Sequence, residues 1–259
     1  MSWTTIAVAD HTPIRTIELH RPENRNAITP TMQMELIAAM EEAVANGFRV
    51  LILTGAGESF CSGLDLSVLQ SMQDKPLAEH RADAERIARL LLTLYELPIP
   101  TVAAVHGAAI GGGMGLAMCC DFTLATPAAK FGFTEVRIGF VPALVSTFLA
   151  LQIGDKRSRD LLLTGRLFDA AEAWRMGLVN DVVPPEELMK RALALAEVLM
   201  ANSSQSLRAT KQLMAEQNRA WLNYAIEAAI QAYVRTLENA DFHEGVAAFL
   251  EKRKAVWTK

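Results

Sequence analysis

The chain has 259 residues, 51% of them hydrophobic, enough to bury one large core with at most a smaller appendage. Its 25 Lys and Arg against 29 Asp and Glu leave a formal charge of −4, so no strong basic field invites nucleic acid. Cys61, Cys119 and Cys120 lack zinc-ligand spacing and read as buried thiols of a reducing compartment, which argues against a disulfide framework or a metal site.

Met1 to Thr5 lacks the basic and apolar regions of a secretory signal, and a cytoplasmic protein is expected. Ile6 to Val8 and Ile14 to Leu19 read as two strands around a turn at Asp10 to Pro13. Thr29 is placed to cap a helix with Pro30 at its first position, and Leu36, Met40 and Val44 then repeat as a core stripe. Val50 to Leu53 reads as a strand buried on both faces. The weakly patterned stretch Leu69 to His80 reads as a loop or loose helix, followed by a helix burying Ile87, Leu90, Leu91 and Leu94. Thr101 to Val105 and Phe122 to Ala125 are two more core strands, flanking a glycine-rich run and a helix from Met114 to Cys120. That run, Ala108 to Cys120, is too short to span a bilayer, so no membrane partner is expected.

From about residue 185 the pattern turns helical. Leu188, Ala192, Leu195, Ala196 and Leu199 share a face, and further helices are predicted over 204–216, 219–237 and 242–254. Asp241 and Glu244 form an N-cap pair of capping-box type. Lys252-Arg253-Lys254 reads as a solvated helix end. The division is an α/β core at 1–195 and a helical region at 196–259, with a mostly parallel sheet.

Gly111-Gly112-Gly113 stands where a buried strand ends and a helix begins. Unpaired backbone N–H groups there could bind a phosphate or a developing oxyanion, and close helix–strand packing explains the glycines equally well. No P-loop, dinucleotide fingerprint, nucleophile elbow or zinc-protease motif is present.

A second segment, Phe60-Cys61-Ser62-Gly63-Leu64-Asp65-Leu66, follows another buried strand. It resembles the Phe-x-x-Gly-x-Asp-hydrophobic segment of the crotonase family, the enoyl-CoA hydratase/isomerase superfamily. Other segments resemble the family in order: Leu19 to Ala27, His106-Gly107 with Gly111 to Gly113, Cys120-Asp121, Lys130 to Glu135, Leu163 to Arg166 with Ala170 to Ala173, Gly177 to Asn180, Arg208 to Lys211, Glu244-Gly245 and Phe249 to Arg253. Each motif is loose, but the ordered set spans nearly the whole chain.

The resemblance implies an α/β spiral of repeated β-β-α units with a C-terminal helical region, assembled as a homotrimer or homohexamer. It implies a coenzyme A thioester as substrate and no separate cofactor. Carried over by position, the N–H groups of Leu64 and Gly112 form an oxyanion hole. Arg25, Ala27, Ser62, Gly63, Leu64, Asp65, Leu66, Gly111 and Gly112 line the CoA path, with Asp65 ordering its loop and Asp121 structural. His106 reads as packed and hydrogen-bonded. His11, His20, His80 and His243 fall in turn or helix-surface contexts. The tryptophans read as core or subunit contact.

In well-known hydratases of this family two glutamates flank the double bond, one activating water and one delivering a proton. Glu135 matches the second, and Gly115 stands at the first. No Asp or Glu lies between Val136 and Gly154, which excludes a replacement from the following helix, and Ala143 stands where dienoyl-CoA isomerases carry an aspartate. Phe133 to Ala143 is similar to methylglutaconyl-type hydratases that also have glycine at the first position, which implies hydration. Isomerisation of a 3-enoyl thioester by the single carboxylate stays open. So does a non-catalytic acyl-CoA-binding or RNA-binding relative, the latter disfavoured by the charge. The acyl chain is not legible.

Overall fold

The computed structural model describes residues 3–258. In chain order its main elements are β1 (Ile6–His11), β2 (Ile14–Leu19), α1 (Pro30–Ala45), β3 (Val50–Gly55), α2 (Leu66–Ser71), α3 (Leu77–Tyr95), β4 (Thr101–Val105), β5 (Ala108–Ile110) and α4 (Gly112–Cys119). They continue as β6 (Phe122–Ala125), β7 (Lys130–Gly132), α5 (Ala143–Thr164), β8 (Leu167–Asp169), α6 (Ala170–Met176), β9 (Asp181–Val182), α7 (Leu188–Met200), α8 (Ser204–Leu237) and α9 (Ala240–Leu250).

Two sheets result. The larger has six strands in the order β1-β2-β3-β4-β6-β9, parallel except for the β1–β2 hairpin. The smaller holds β5, β7 and β8. The chain winds as a spiral: β4, β5 and α4 form one turn, and β6, β7 and α5 the next. Cys61 bridges Ala109 as a further rung of the small sheet, so β3, this rung and the α2–α3 pair form the turn before.

The larger sheet is buried on both faces, which is why β3 is a continuous apolar run. Leu51 and Leu53 face the main core with α1, α3, α4, α5 and α8, whereas Val50 and Ile52 pack with Leu188, Ala192, Ala196 and Leu199 of α7. Thr29 caps α1, its side chain accepting from Met32 N at 3.2 Å. Cys61, Cys119 and Cys120 are buried free thiols.

Several expectations are corrected. Residues 69–80 are the end of α2, a short connection and the start of α3. His80 is buried on α3 rather than at a helix surface, its Nε2 lying 2.7 Å from the Met72 carbonyl. The helices expected at 204–216 and 219–237 are one, because Asn218 is satisfied in place by Tyr95 Oη and the Met214 carbonyl. The last helix is Ala240–Leu250, and its N-cap is Asn239, which accepts from Asp241 N at 3.0 Å. Asp241 instead receives Thr258 from the folded-back tail. The core reading of the tryptophans fails for Trp174, Trp221 and Trp257, which are exposed. No helix among the described residues is long and apolar enough to cross a membrane.

Candidate active site

Three successive turns of the spiral end at one corner. Cys61, Ala109 and Phe131 align across the small sheet. Just beyond them in the chain stand Gly63-Leu64, Gly111-Gly112 and Thr134-Glu135. Equivalent exits from aligned rungs therefore deliver Leu64, Gly112 and Glu135 to neighbouring places.

At Leu64 the peptide geometry fixes the donor. Gly63 O accepts from Ile28 N at 2.8 Å, and Asp65 N donates back to Ile28 O at 3.0 Å. In a planar trans peptide the N–H of residue 64 points opposite to the carbonyl of residue 63, so Leu64 N–H faces away from Ile28. Gly112 is the first residue of α4, where an N–H has no intrahelical acceptor. Neither N–H donates to a protein acceptor among the described residues. The two segments touch: a Cβ on Gly63 would lie 2.8 Å from Ile110 O and 3.5 Å from Gly112 N.

Gly111 adopts φ 52 and ψ −119, a conformation reserved for glycine. A Cβ there would also lie 2.8 Å from Glu135 Oε1, so the carboxylate occupies the space that a side chain would fill. Glu135 opens a 3-10 turn, Glu135–Ile138. Its Oε2 is buried and has no hydrogen-bond partner, and it forms no ion pair with Arg137 or any other described cation. Burial pushes its carboxyl up to about 7, opposed only by its own backbone N–H.

The pocket over this corner is narrow and is lined by Leu64, Gly112 and Glu135 together with apolar side chains such as Leu91, Phe140 and Val145. Tyr233 also lines it, but its hydroxyl donates to Asp83 Oδ2 at 2.6 Å, and Asp83 is paired with Arg86. The ring rather than the hydroxyl therefore faces the cavity, packed edge-on to Phe140 with centroids 5.0 Å apart. Glu135 is the one charged group in the lining.

Arg25, Ala27, Ser62, Asp65 and Leu66 do not line this pocket. They form an adjoining pair of loops: Ser62 N donates to Arg25 O at 3.0 Å, and Arg21 reaches both Ala27 O (2.6 Å) and Asp65 Oδ2 (3.1 Å). Asp65 also caps α2 through Ser67 N, so its side chain orders the loop. Asp121 accepts from Thr101 N and pairs with Lys211, tying the sheet to α8. His106 Nε2 lies 3.0 Å from the Gly57 carbonyl, a packed histidine. Among the described residues no group of three His, Cys, Asp or Glu side chains is placed to share a metal ion.

Gly115 is filled space. A Cβ there would lie 2.9 Å from Val145 Cγ1 and 3.4 Å from Leu91 Cδ2, so no second carboxylate fits opposite Glu135 without moving α5 side chains. The apolar wall from α3, α5 and α8 had no signal in the sequence beyond ordinary core spacing. Arg21 lay inside a recognised segment without an assigned contact.

Burial of Glu135 has a stability consequence. Its folded-state value is raised from an ordinary 4.5 to about 7, so the folded chain binds this proton more tightly than the unfolded chain. The contribution is most favourable below the lower value and is lost as pH rises through the window to about 7, by up to about 3 kcal/mol. The melting-temperature difference between Glu135→Gln and the parent should therefore move in favour of the variant from about pH 5 to about pH 8. A difference independent of pH would contradict this.

The enoyl-CoA hydratase/isomerase family model matches residues 10–259. A putative enoyl-CoA hydratase of Thermus thermophilus is 41% identical over 243 residues, covering 93% of this chain and 95% of that protein. A crotonyl-CoA hydratase of Syntrophomonas wolfei is 33% identical, with 98% of both chains covered. The crystal structure of an enoyl-CoA hydratase/isomerase from Xanthobacter autotrophicus superposes with a TM-score of 0.89 at 28% identity, covering 97% of this chain and 98% of that one. The ordered motifs, the two-sheet spiral and these full-length matches agree, and the chain belongs to the enoyl-CoA hydratase/isomerase family, with the crotonase fold.

Proposed function

We propose that the protein is an enoyl-CoA hydratase that adds water across the α,β-double bond of an acyl-CoA thioester. The observation that carries this reading is the unpaired, buried Oε2 of Glu135 at the edge of an apolar pocket that also holds the free N–H groups of Leu64 and Gly112. The thioester oxygen accepts from both N–H groups. Glu135, ionised, takes a proton from water as the water oxygen bonds to the β-carbon. The electron pair of the double bond moves toward the thioester, and negative charge collects on the oxygen held by the two donors. Protonation of the α-carbon, by the proton Glu135 has just received, completes the addition and returns the carboxylate. The CoA moiety lies along Arg25, Ala27 and the Ser62 to Leu66 loop. No separate cofactor enters the scheme.

The walling-off of Gly115 by Val145 and Leu91 supports a second reading. With a single carboxylate and no opposing acid to hold water, Glu135 could instead take a proton from the α-carbon of a 3-enoyl thioester, leaving a dienolate held by the two N–H groups, and return that proton to the γ-carbon to give the 2-enoyl product, which is isomerisation. Parallel assays of crotonyl-CoA hydration and 3-hexenoyl-CoA isomerisation separate the two. Tight binding with no turnover of either would leave a binding protein. A salt-sensitive RNA shift would favour the RNA-binding alternative.

In both reactions Glu135 must begin ionised. We therefore expect kcat/KM to rise about tenfold per pH unit in the acid range and to level off above about 7. A profile flat across that value would remove Glu135 as the base. The proposed assembly is a homotrimer or homohexamer. Exposed Met214, Trp221 and Tyr224 along α8 support an additional contact surface, and light scattering of the purified protein reads the mass directly.

A further inference from the structure

We propose that α9 fixes the position of the Glu135 carboxylate by direct backbone-to-backbone contact at Gly245, which makes Gly245 a positioning residue for proton transfer. This rests on the reading of Glu135 given above. The contact is reciprocal. A Cβ on Gly245 would overlap the carbonyl of Ile138 and lie 2.8 Å from Ile138 Cα. A Cβ on Gly139 would overlap the Asp241 carbonyl and lie 2.8 Å from Phe242 N. Ile138 ends the short turn that Glu135 opens, and Gly139 closes it in a left-handed conformation, φ 66. Two main chains therefore meet with no side chain between them. That contact is stiff, because no rotamer can absorb a displacement.

The rest of the interface carries the position onward to the pocket. Phe140 N donates to Glu135 O at 3.0 Å, closing the turn. The Phe140 ring lines the pocket and packs on the fully buried Phe242 of α9, centroids 5.2 Å apart. Behind α9 the tail folds back: Arg253 Nη2 donates to Glu244 Oε2 at 2.8 Å, and Val256 N donates to Glu244 Oε1 at 2.8 Å. Asp241 accepts from Thr258, so both acids of α9 are engaged away from the pocket. The two C-terminal motifs, Glu244-Gly245 and Phe249 to Arg253, thereby acquire one role. The first touches the Glu135 turn, and the second closes on the first. α9 also packs on α2, which begins two residues after Leu64, so one helix abuts both sides of the corner.

The test compares Gly245→Ala with Glu135→Gln and the parent. Forcing a methyl between the two main chains must shift the turn, and a misplacement near 1 Å can cost about a hundredfold in rate. We expect kcat for crotonyl-CoA hydration to fall about 10- to 100-fold, with the Kd for acetoacetyl-CoA changed less than about threefold. The acid limb of the pH–rate profile should also move from about 7 toward the ordinary carboxyl value as the group leaves its recess. If Gly245→Ala does not fold, Phe242→Leu loosens the same interface while keeping an apolar side chain, and a several-fold fall in kcat with the same shift of the limb is expected. Parental kcat and limb in the soluble variant, or a fall in kcat with an unmoved limb, overturn the proposal while leaving the role of Glu135 intact if Glu135→Gln is inactive. Full activity of Glu135→Gln overturns the underlying reading instead.

Discussion

Glu135→Gln is expected to bind acetoacetyl-CoA as the parent does and to lose about 10²–10⁴ in turnover of crotonyl-CoA, or about 3–5 kcal/mol of barrier lowering. The substitution keeps the shape of the side chain and one oxygen above Gly111, so the pocket does not collapse. It removes the one group in the lining able to take a proton and return it. The loss should fall on kcat and kcat/KM together, because the lost interaction exists only while a proton is in flight. Stopped assays at several pH values check it. A variant retaining parental turnover on both crotonyl-CoA and 3-hexenoyl-CoA would move the chemistry elsewhere in the pocket, where no other ionisable lining group stands except Tyr233, whose hydroxyl is spent on Asp83.

Much of the large sheet was legible because its signals are local. A strand buried on both faces must be apolar throughout, as Val50 to Leu53 is, and Thr29-Pro30 marks a helix start by hydrogen bonding within one turn. The small sheet was not legible. β5, β7 and β8 are three residues each, too short for any period to register, and their order is set by the winding of the chain. The continuous α8 was hidden by polar residues near Asn218 that look like a break until Tyr95, distant in sequence, is seen to partner one of them. Asp241 lost the cap to Asn239 because a side chain two residues upstream reaches the free N–H first. At the site, the identities of Leu64, Gly112 and Glu135 came from family resemblance. What resemblance could not convey is the setting: the recess that raises the Glu135 carboxyl is assembled from α3, α5 and α8, and the closure of position 115 depends on Val145. Burial and the room left for a second acid are properties of packing between distant segments.

The donor at Gly112 offers a test of the other half of the site, even though it is a main-chain group. Gly112 is the first residue of α4, the one helical position where proline is accommodated, because the N–H it lacks has no partner in the helix. Gly111 before it is a glycine, the residue least restricted by a following proline. Gly112→Pro should therefore keep the helix and delete the donor, placing ring carbon where the thioester oxygen would accept. Gly112→Ala is the matched control. It retains the N–H, and the nearest atoms to its Cβ are side-chain carbons, the flexible tip of Ile28 at 3.3 Å and Leu64 Cδ2 at 3.7 Å. Loss of one oxyanion donor costs about 10²–10³ in kcat, so Gly112→Pro should fall by at least that factor in kcat/KM while Gly112→Ala stays within about tenfold of the parent. The size follows from the setting: beside an apolar pocket no solvent competes for the developing charge, and Leu64 N–H alone must hold it. Equal activity of the proline and alanine variants would show that the thioester oxygen takes no hydrogen bond from residue 112, and the enolate would then need a different stabilising group.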